Sequence, residues 1–380
     1  MKSRNIYNIA IAVIVTASLS LMTASAYYNG KLFIKPGGDA RLNSIIGVLD
    51  EYYYEDYDKN KAYDAAIKGY VESIGDPYTE YMTKAEFEDF QDYINSSYCG
   101  IGVTVQNNVE DNTLLIVGVF EDAPAKEAGI EVGDIITKVK GVEYKGEQLE
   151  EATENIQGEE GTTVEITILK KSTGKEVDLE ITRRSITVDS VASEIIDGTI
   201  GYVAISQFGT NTALEFTEQV DQMMKKGITG LIIDVRDNGG GITTAVEAVA
   251  GCVLKKGDVI YYTADKHGKK NYVESKIDGI DLPVVVIANE NSASASEILV
   301  GAVKDNNRGK IVGKKTYGKG VVQQLLPLTD GSAVKVTVEK YFTPNGDFIH
   351  EKGIEPDYVV ELDDVTDTQL EKAVEILKNN

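Results

Sequence analysis

Val284-Val285-Val286-Ile287-Ala288 runs directly into Asn289-Glu290-Asn291-Ser292-Ala293-Ser294-Ala295-Ser296-Glu297, and a helical pattern follows. A short apolar run bounded by polar residues reads as a buried strand. Three serines spaced by alanines at a strand-to-helix junction put a hydroxyl where little side-chain bulk blocks approach. The helix N-terminus offers unpaired N–H groups to a developing oxyanion. Ser294 and Glu297 also fit a capping box, so the same residues have a purely structural reading. Around this stretch, apolar runs alternate with helical patterns at 200–205, 211–226, 230–235, 243–254, 283–288 and 294–306. That alternation predicts a layered α/β fold. A last ordered run, Ala333 to Phe342, ends at the turn Thr343-Pro344-Asn345-Gly346.

Two further segments carry chemistry. Tyr317-Gly318-Lys319-Gly320-Val321-Val322-Gln323-Gln324 sets a lysine between two glycines. Small flanks let such a lysine approach another backbone and be sheltered from water. An ordinary lysine, with a pKa of about 10.4, is neutral at pH 7 in roughly one molecule in a few thousand. Burial lowers that pKa and makes the amine a competent general base. A Gly-Lys-Gly loop can also hold phosphate, but the full phosphate-loop pattern is absent. Asp234-Val235-Arg236-Asp237-Asn238-Gly239-Gly240-Gly241 is either a plain turn or a loop whose glycine N–H groups are free to point at a substrate.

The 380 residues hold 38 basic and 61 acidic side chains, a net charge of −23, which argues against a nucleic-acid partner. Only His267, His350, Cys99 and Cys252 supply imidazole or thiol, excluding zinc fingers and multi-histidine metal sites. No cofactor is expected. The two cysteines leave one disulfide open. Lys2 and Arg4 precede an uncharged run from Ile6 to Ala26 that closes on Ala24-Ser25-Ala26, the pattern of a cleaved export signal or a membrane anchor. Either form places the rest of the chain outside the cytoplasm, membrane-anchored if the segment stays.

Residues 40–93 read as amphipathic helices, with Leu42, Ile45, Ile46 and Leu49 on one face and Gly75-Asp76-Pro77 as a break. Thr83 and Glu86 offer a capping box. Nothing there suggests catalysis; packing on a neighbour or a homodimer contact is expected. From 96 to 184 the texture becomes short β runs, such as Leu114–Val117 and Val164–Leu169, with short helices near 123–128 and 146–157. Cys99-Gly100-Ile101-Gly102-Val103, Ala123-Pro124-Ala125, Ala128-Gly129-Ile130 and Val132-Gly133-Asp134-Ile135-Ile136 resemble a PDZ domain. The resemblance implies that Gly100, Ile101, Gly102 and Val103 take a peptide carboxylate and strand, with Leu149, Ala152 and Ile156 lining the other wall. Where that family often has arginine after the isoleucine, Ile156-Gln157-Gly158 has glutamine.

Over nearly the whole chain past the leader, these motifs resemble the C-terminal processing peptidases, S41-type serine proteases of the Ser/Lys kind. In that pattern the base lysine follows the middle serine by 25 residues, which selects Ser294 as nucleophile and Lys319 as base over Ser292 and Ser296. Gln323 matches the glutamine that orients the lysine. Gly240 and Ala295 match the oxyanion hole, with Gly241 also open. Asp305 matches an acidic position but reads as a solvated helix residue. Both histidines read as surface residues outside the matching positions, so a Ser-His-Asp triad is the weaker account.

The resemblance implies a crotonase/ClpP-like α/β core at 190–362, a PDZ domain at 96–184, a helical segment at 40–93, a leader or anchor at 1–26 and a C-terminal helix or tail at 363–380. The expected function is an exported endopeptidase that recognises proteins by their C-termini. The rival is an inactive PDZ-bearing scaffold of the cell envelope.

Overall fold

A computed structural model describes residues 38–363 and 365–379; the leader read at 1–26 lies outside them. Among the described residues no helix is long and apolar enough to cross a membrane. The chain divides into two compact units, one ending at Ala66 and one running from Ile67 to Asn380.

The first unit holds α1 (Gly38–Tyr52) and the start of α2 (Lys59–Glu72). Leu42, Ile45, Ile46 and Leu49 share an apolar groove with Ala62, Tyr63 and Ala66. Asp50 ties the connection by accepting from the Tyr57 hydroxyl at 2.8 Å and pairing with Lys59 at 2.8 Å.

In the second unit, β1 (Glu80–Met82) and α3 (Lys84–Ile94) come first. The sequence reads residues 40–93 as helical, yet Glu80–Met82 is a strand, because Glu80, Tyr81 and Met82 pair with a distant edge at Lys335, Val334 and Ala333. Thr83 caps α3 through the expected box, its N–H donating to Glu86 at 2.8 Å.

A β-rich module follows: β2 (Ser97–Gly100), β3 (Val103–Asn108), β4 (Thr113–Val119), α4 (Pro124–Glu127), β5 (Ile135–Val139), β6 (Val142–Glu143), α5 (Leu149–Ile156), β7 (Thr163–Leu169), β8 (Glu176–Thr182) and β9 (Arg184–Thr187). Its sheet runs β3-β4-β5-β7-β8, with β6 on β5. The chain enters and leaves through the antiparallel ribbon β2–β9. Alternate residues Val164, Ile166 and Ile168 of β7 fill its own core with Leu114, Ile116 and Ile136, as a period of two requires.

The large domain is built from β10 (Val191–Ile196), β11 (Ile200–Ile205), α6 (Thr212–Lys225), β12 (Gly230–Asp234), α7 (Thr243–Val253), β13 (Val259–Asp265), β14 (Lys270–Glu274), β15 (Val284–Ala288), α8 (Ala295–Asp305), β16 (Gly309–Gly313), β17 (Val321–Pro327), β18 (Ala333–Phe342), β19 (Tyr358–Val359) and α9 (Thr368–Lys378). Its central sheet has the order β10-β11-β12-β15-β16-β19, parallel from β11 onward. Both faces are covered, so β12 and β15 are buried at every residue. Leu231, Ile233, Val284 and Val286 face the cluster that includes Val220 of α6, Val249 of α7 and Leu299 of α8. Ile232, Val285 and Ile287 face α9 through Ala373, Leu370 and Leu377. A second sheet, β1-β18-β13-β14 with β17 on β18, packs beside this core. Cys99 and Cys252 are both free thiols.

This topology places the chemistry. The neighbouring parallel strands β12, β15 and β16 end on the same side of the sheet, and ligand sites in such sheets lie at the strands' carboxyl ends. The loops leaving them are the glycine loop 235–241, the serine loop 289–294 and the lysine loop 314–320.

Candidate active site

The three serines separate by environment. Ser292 and Ser296 are 0% exposed, and their hydroxyls donate to the Val235 and Asn238 carbonyls at 2.7 and 2.8 Å. Ser294 is half-buried and lines a cleft of about 390 Å³ together with Lys319, Gln323, Gly239, Gly241 and Tyr341. Its backbone has φ 55° and ψ −112°, a left-handed conformation that costs a non-glycine residue about 1–3 kcal/mol and is kept where surroundings over-determine it. An ordinary N-cap needs no such angle. Here the sharp turn out of β15 sets Ser294 at the mouth of α8, with its carbonyl accepting from the Tyr341 hydroxyl at 3.1 Å.

Glu297, 0% exposed, is what joins the serine and lysine loops. One of its oxygens accepts from the Ser294 N–H at 2.9 Å and the Lys319 N–H at 2.8 Å. The other accepts from Thr316 Oγ1 at 2.6 Å and the Gly318 N–H at 2.7 Å. Burial pushes this carboxyl up, against four donors that favour its ionised form. The carboxylate expected only to cap a helix therefore holds two loops together.

Lys319 is half-buried. Burial pushes its amine down, and Lys335 adds to this, while Glu80, Asp76 and Glu297 act the other way. The flanking glycines are sterically required. A Cβ on Gly318, whose φ is 96°, would sit 2.8 Å from the Gly353 nitrogen, and one on Gly320 would sit 2.7 Å from the His350 nitrogen. Gln323 lines the same cleft, but its Nε2 donates to Thr337 Oγ1 at 3.3 Å rather than engaging Lys319.

The glycine loop departs from expectation at one atom. The Gly240 N–H donates to its own neighbour, Asn238 Oδ1, at 2.8 Å, so it is held inside the loop instead of facing a substrate. Gly240 still has to be glycine: a Cβ would lie 2.9 Å from Ser294 Cβ and 3.1 Å from the Ala295 nitrogen. Gly241 lines the cleft, and among the described residues no hydrogen bond engages its N–H. The Ala295 N–H opens α8, where no intrahelical acceptor exists. Asn238 is 0% exposed and clamps this loop to the serine loop, its carbonyl accepting from the Ala293 N–H at 3.0 Å. Behind it, Arg236 pairs with Asp234 at 2.6 Å and with Asp367 at 2.7 Å.

Other expected residues fall elsewhere. Asp305 accepts from the Asn345 N–H at 2.9 Å, a structural tie. His267 is exposed as expected. His350 is not a surface residue: it is half-buried, its Nδ1 is enclosed with no partner among the described residues, and its ring meets Tyr78 and Phe348. In the β-rich module, Ile101, Ala152 and Ile156 belong to the core, because the short helix α5 needs them to anchor it; only Val103 and Leu149 stay partly exposed at its margin. In the Gly100–Val103 loop, the Ile101 and Gly102 carbonyls accept from the Ala125 and Phe120 N–H groups at 2.8 and 3.1 Å. Opposite Gln157, the buried Arg183 donates to the Ile156 carbonyl at 2.7 Å. Sequence reasoning missed Glu297 as a bridge and Tyr78, which lies beside Lys319; the only signal for the latter was the Gly-Asp-Pro break.

Three family models match: peptidase family S41 over residues 199–360, a PDZ domain over 98–181, and the N-terminal domain of the activating protease CtpB over 36–86. The carboxy-terminal processing protease CtpA of Bacillus subtilis is 35% identical over 94% of this chain and 77% of its own length. CtpB of the same organism is 37% identical over 90% and 72%. Among solved structures, the photosystem II D1 C-terminal processing protease aligns with a TM-score of 0.51 at 28% identity, covering 87% of this chain and 90% of that one. These matches reach across the helical segment, the PDZ domain and the α/β core alike. The chain thus belongs to the carboxy-terminal processing proteases, the serine peptidases of family S41 that carry a PDZ domain.

Proposed function

We propose that this protease cleaves with Ser294 as nucleophile and neutral Lys319 as its base. Ser294 Oγ attacks the scissile carbonyl as Lys319 Nζ takes its proton. The Ala295 and Gly241 N–H groups, in place of Gly240, stabilise the oxyanion. Collapse expels the amine, which receives the proton from Nζ, and water deprotonated by Lys319 then releases the acyl group. With its Nε2 held by Thr337, Gln323 keeps its Oε1 as an acceptor for a Lys319 N–H. The observation that carries this reading is the shared Glu297 oxygen, which fixes the backbones of the one cleft-lining serine and the lysine within 3 Å of a common point.

The PDZ domain takes substrate C-termini along β3, whose outer edge is unpaired in its sheet. The basic and apolar leader directs the chain across the membrane, and the apolar residues exposed on α1 fit a homodimer contact. Cleavage of an unstructured protein tests the chemistry: Ser294→Ala and Lys319→Ala are expected to lose activity by about 10⁴-fold or more. Normal cleavage by either variant removes that residue from the mechanism. Amidating the substrate's C-terminus is expected to raise KM; an unchanged KM removes the PDZ role.

A further inference from the structure

The turn Gly75-Asp76-Pro77-Tyr78-Thr79 lies outside the matched S41 region and takes no part in the steps above. Lys319 Nζ nevertheless lies 4.8 Å from the centroid of the Tyr78 ring, within cation–π range. The Tyr78 ring meets His350 edge-on, with centroids 5.9 Å apart. The turn is tied internally, since Asp76 accepts from the Tyr78 N–H at 3.0 Å and from Thr79 Oγ1 at 2.6 Å. It is also tied to the cleft. Thr79 Oγ1 accepts from the Thr337 N–H at 3.0 Å, and Thr337 Oγ1 in turn accepts from Gln323 Nε2 at 3.3 Å. One turn therefore meets the lysine directly and the glutamine through a single threonine.

We propose that Tyr78 is a positioning residue for Lys319, its ring forming the wall on which Nζ rests while the Asp76–Thr79 turn fixes that wall to Thr337 of β18, the residue that also holds Gln323. This rests on the reading of Lys319 as the base. A lysine's four-carbon stem is flexible, and a displacement of about 1 Å at a reacting group can cost on the order of 10²-fold. A ring suits the task because it excludes water without offering a strong acceptor, and its face still accommodates the ammonium formed when Nζ takes the serine's proton. The charged groups around Nζ are Lys335 of β18, Glu80 of β1, Asp76 of the turn and Glu297 of α8. The ring adds to the burial that outweighs the three carboxylates.

The test is kcat and KM against pH for the full chain on an unstructured protein, with Tyr78→Ala, Tyr78→Phe and Lys319→Ala. Tyr78→Ala is expected to lower kcat by about 10²-fold with little change in KM. It should also move the acid limb to higher pH, because water beside Nζ relieves the burial that holds its pKa down. Tyr78→Phe restores a ring and is expected to recover most of the loss. Wild-type kcat and acid limb in Tyr78→Ala, with Lys319→Ala inactive, overturn the proposal alone; activity in Lys319→Ala overturns the base assignment instead. Should Tyr78→Ala fail to fold, the wild-type Lys319 ε-methylene resonance, assigned by its loss in Lys319→Arg, decides. An upfield ring-current shift supports the wall, and a random-coil position overturns it.

Discussion

The protease cleft and the proposed peptide site of the PDZ domain each pair a glycine-bearing loop with a helix, yet the two loops use their residues differently. In the cleft, buried polar groups clamp loops that lie far apart in sequence, as Glu297 does for those bearing Ser294 and Lys319, and leave the side chains of the proposed nucleophile and base lining open space. In the PDZ domain, the apolar residues of the loop and helix turn inward: Ile101, Ala152 and Ile156 fill the core, while Val103 and Leu149 are partly exposed at its margin. A site that does chemistry needs its groups held from behind. A site that adds a peptide strand needs only an unpaired edge and a small apolar margin.

The sharpest way to break this contrast is Glu297→Gln. The amide keeps one acceptor oxygen and turns an NH₂ toward groups that are themselves donors. Each donor left unpaired is expected to cost about 1–3 kcal/mol in denaturant unfolding. As the serine and lysine loops separate, kcat is expected to fall on the order of 10²-fold. A variant with full activity and stability would reduce Glu297 to a helix cap.

The PDZ side is sharpened by a pair of changes. Ala152→Leu overfills the core and is expected to cost about 1–3 kcal/mol of stability. Leu149→Ser, at the margin, is expected to leave kcat alone and raise KM by up to about tenfold, the loss of one partly buried apolar contact. If Leu149→Ser acts on stability alone, Leu149 is core like its neighbours. The smallest effect belongs to Asp305→Asn, which disturbs only the tie to the Asn345 N–H and is expected to change stability by about 0.5 kcal/mol or less. A large loss of turnover there would bring Asp305 into the mechanism.

What could be read in the sequence follows from the same contrast. The β15 run and the helices around it were legible because periodicity is a local property; the glycines at 318 and 320 signalled a close backbone approach, but not that the approaching backbone is that of His350 and Gly353. The separation of Ser294 from Lys319 carried the resemblance, and three adjacent parallel strands bring those distant loops together. The direction of one N–H was not legible: whether Gly240 faces the substrate or Asn238 depends on a buried side chain two residues away. Nor was β1, a three-residue strand that exists only because β18 offers it an edge. Ile101, Ala152 and Ile156 show the ambiguity of apolar pattern, which marks a face as dry without saying whether a core or a ligand dries it. His350 was misread for a related reason: it follows a turn, and nothing near it in sequence reveals that the distant Tyr78 ring packs against it.

His350 also supplies the most direct test of the central claim, being the one imidazole close to the lysine loop. The measurement is the pH dependence of kcat/KM for the wild-type protein and for His350→Ala. The account predicts one rising limb in both, with an apparent pKa below the ordinary lysine value of about 10.4, because burial holds the Lys319 amine down and only its neutral form accepts the serine's proton. A limb near the ordinary histidine value of about 6.5 that disappears in His350→Ala would contradict it and make the imidazole the base.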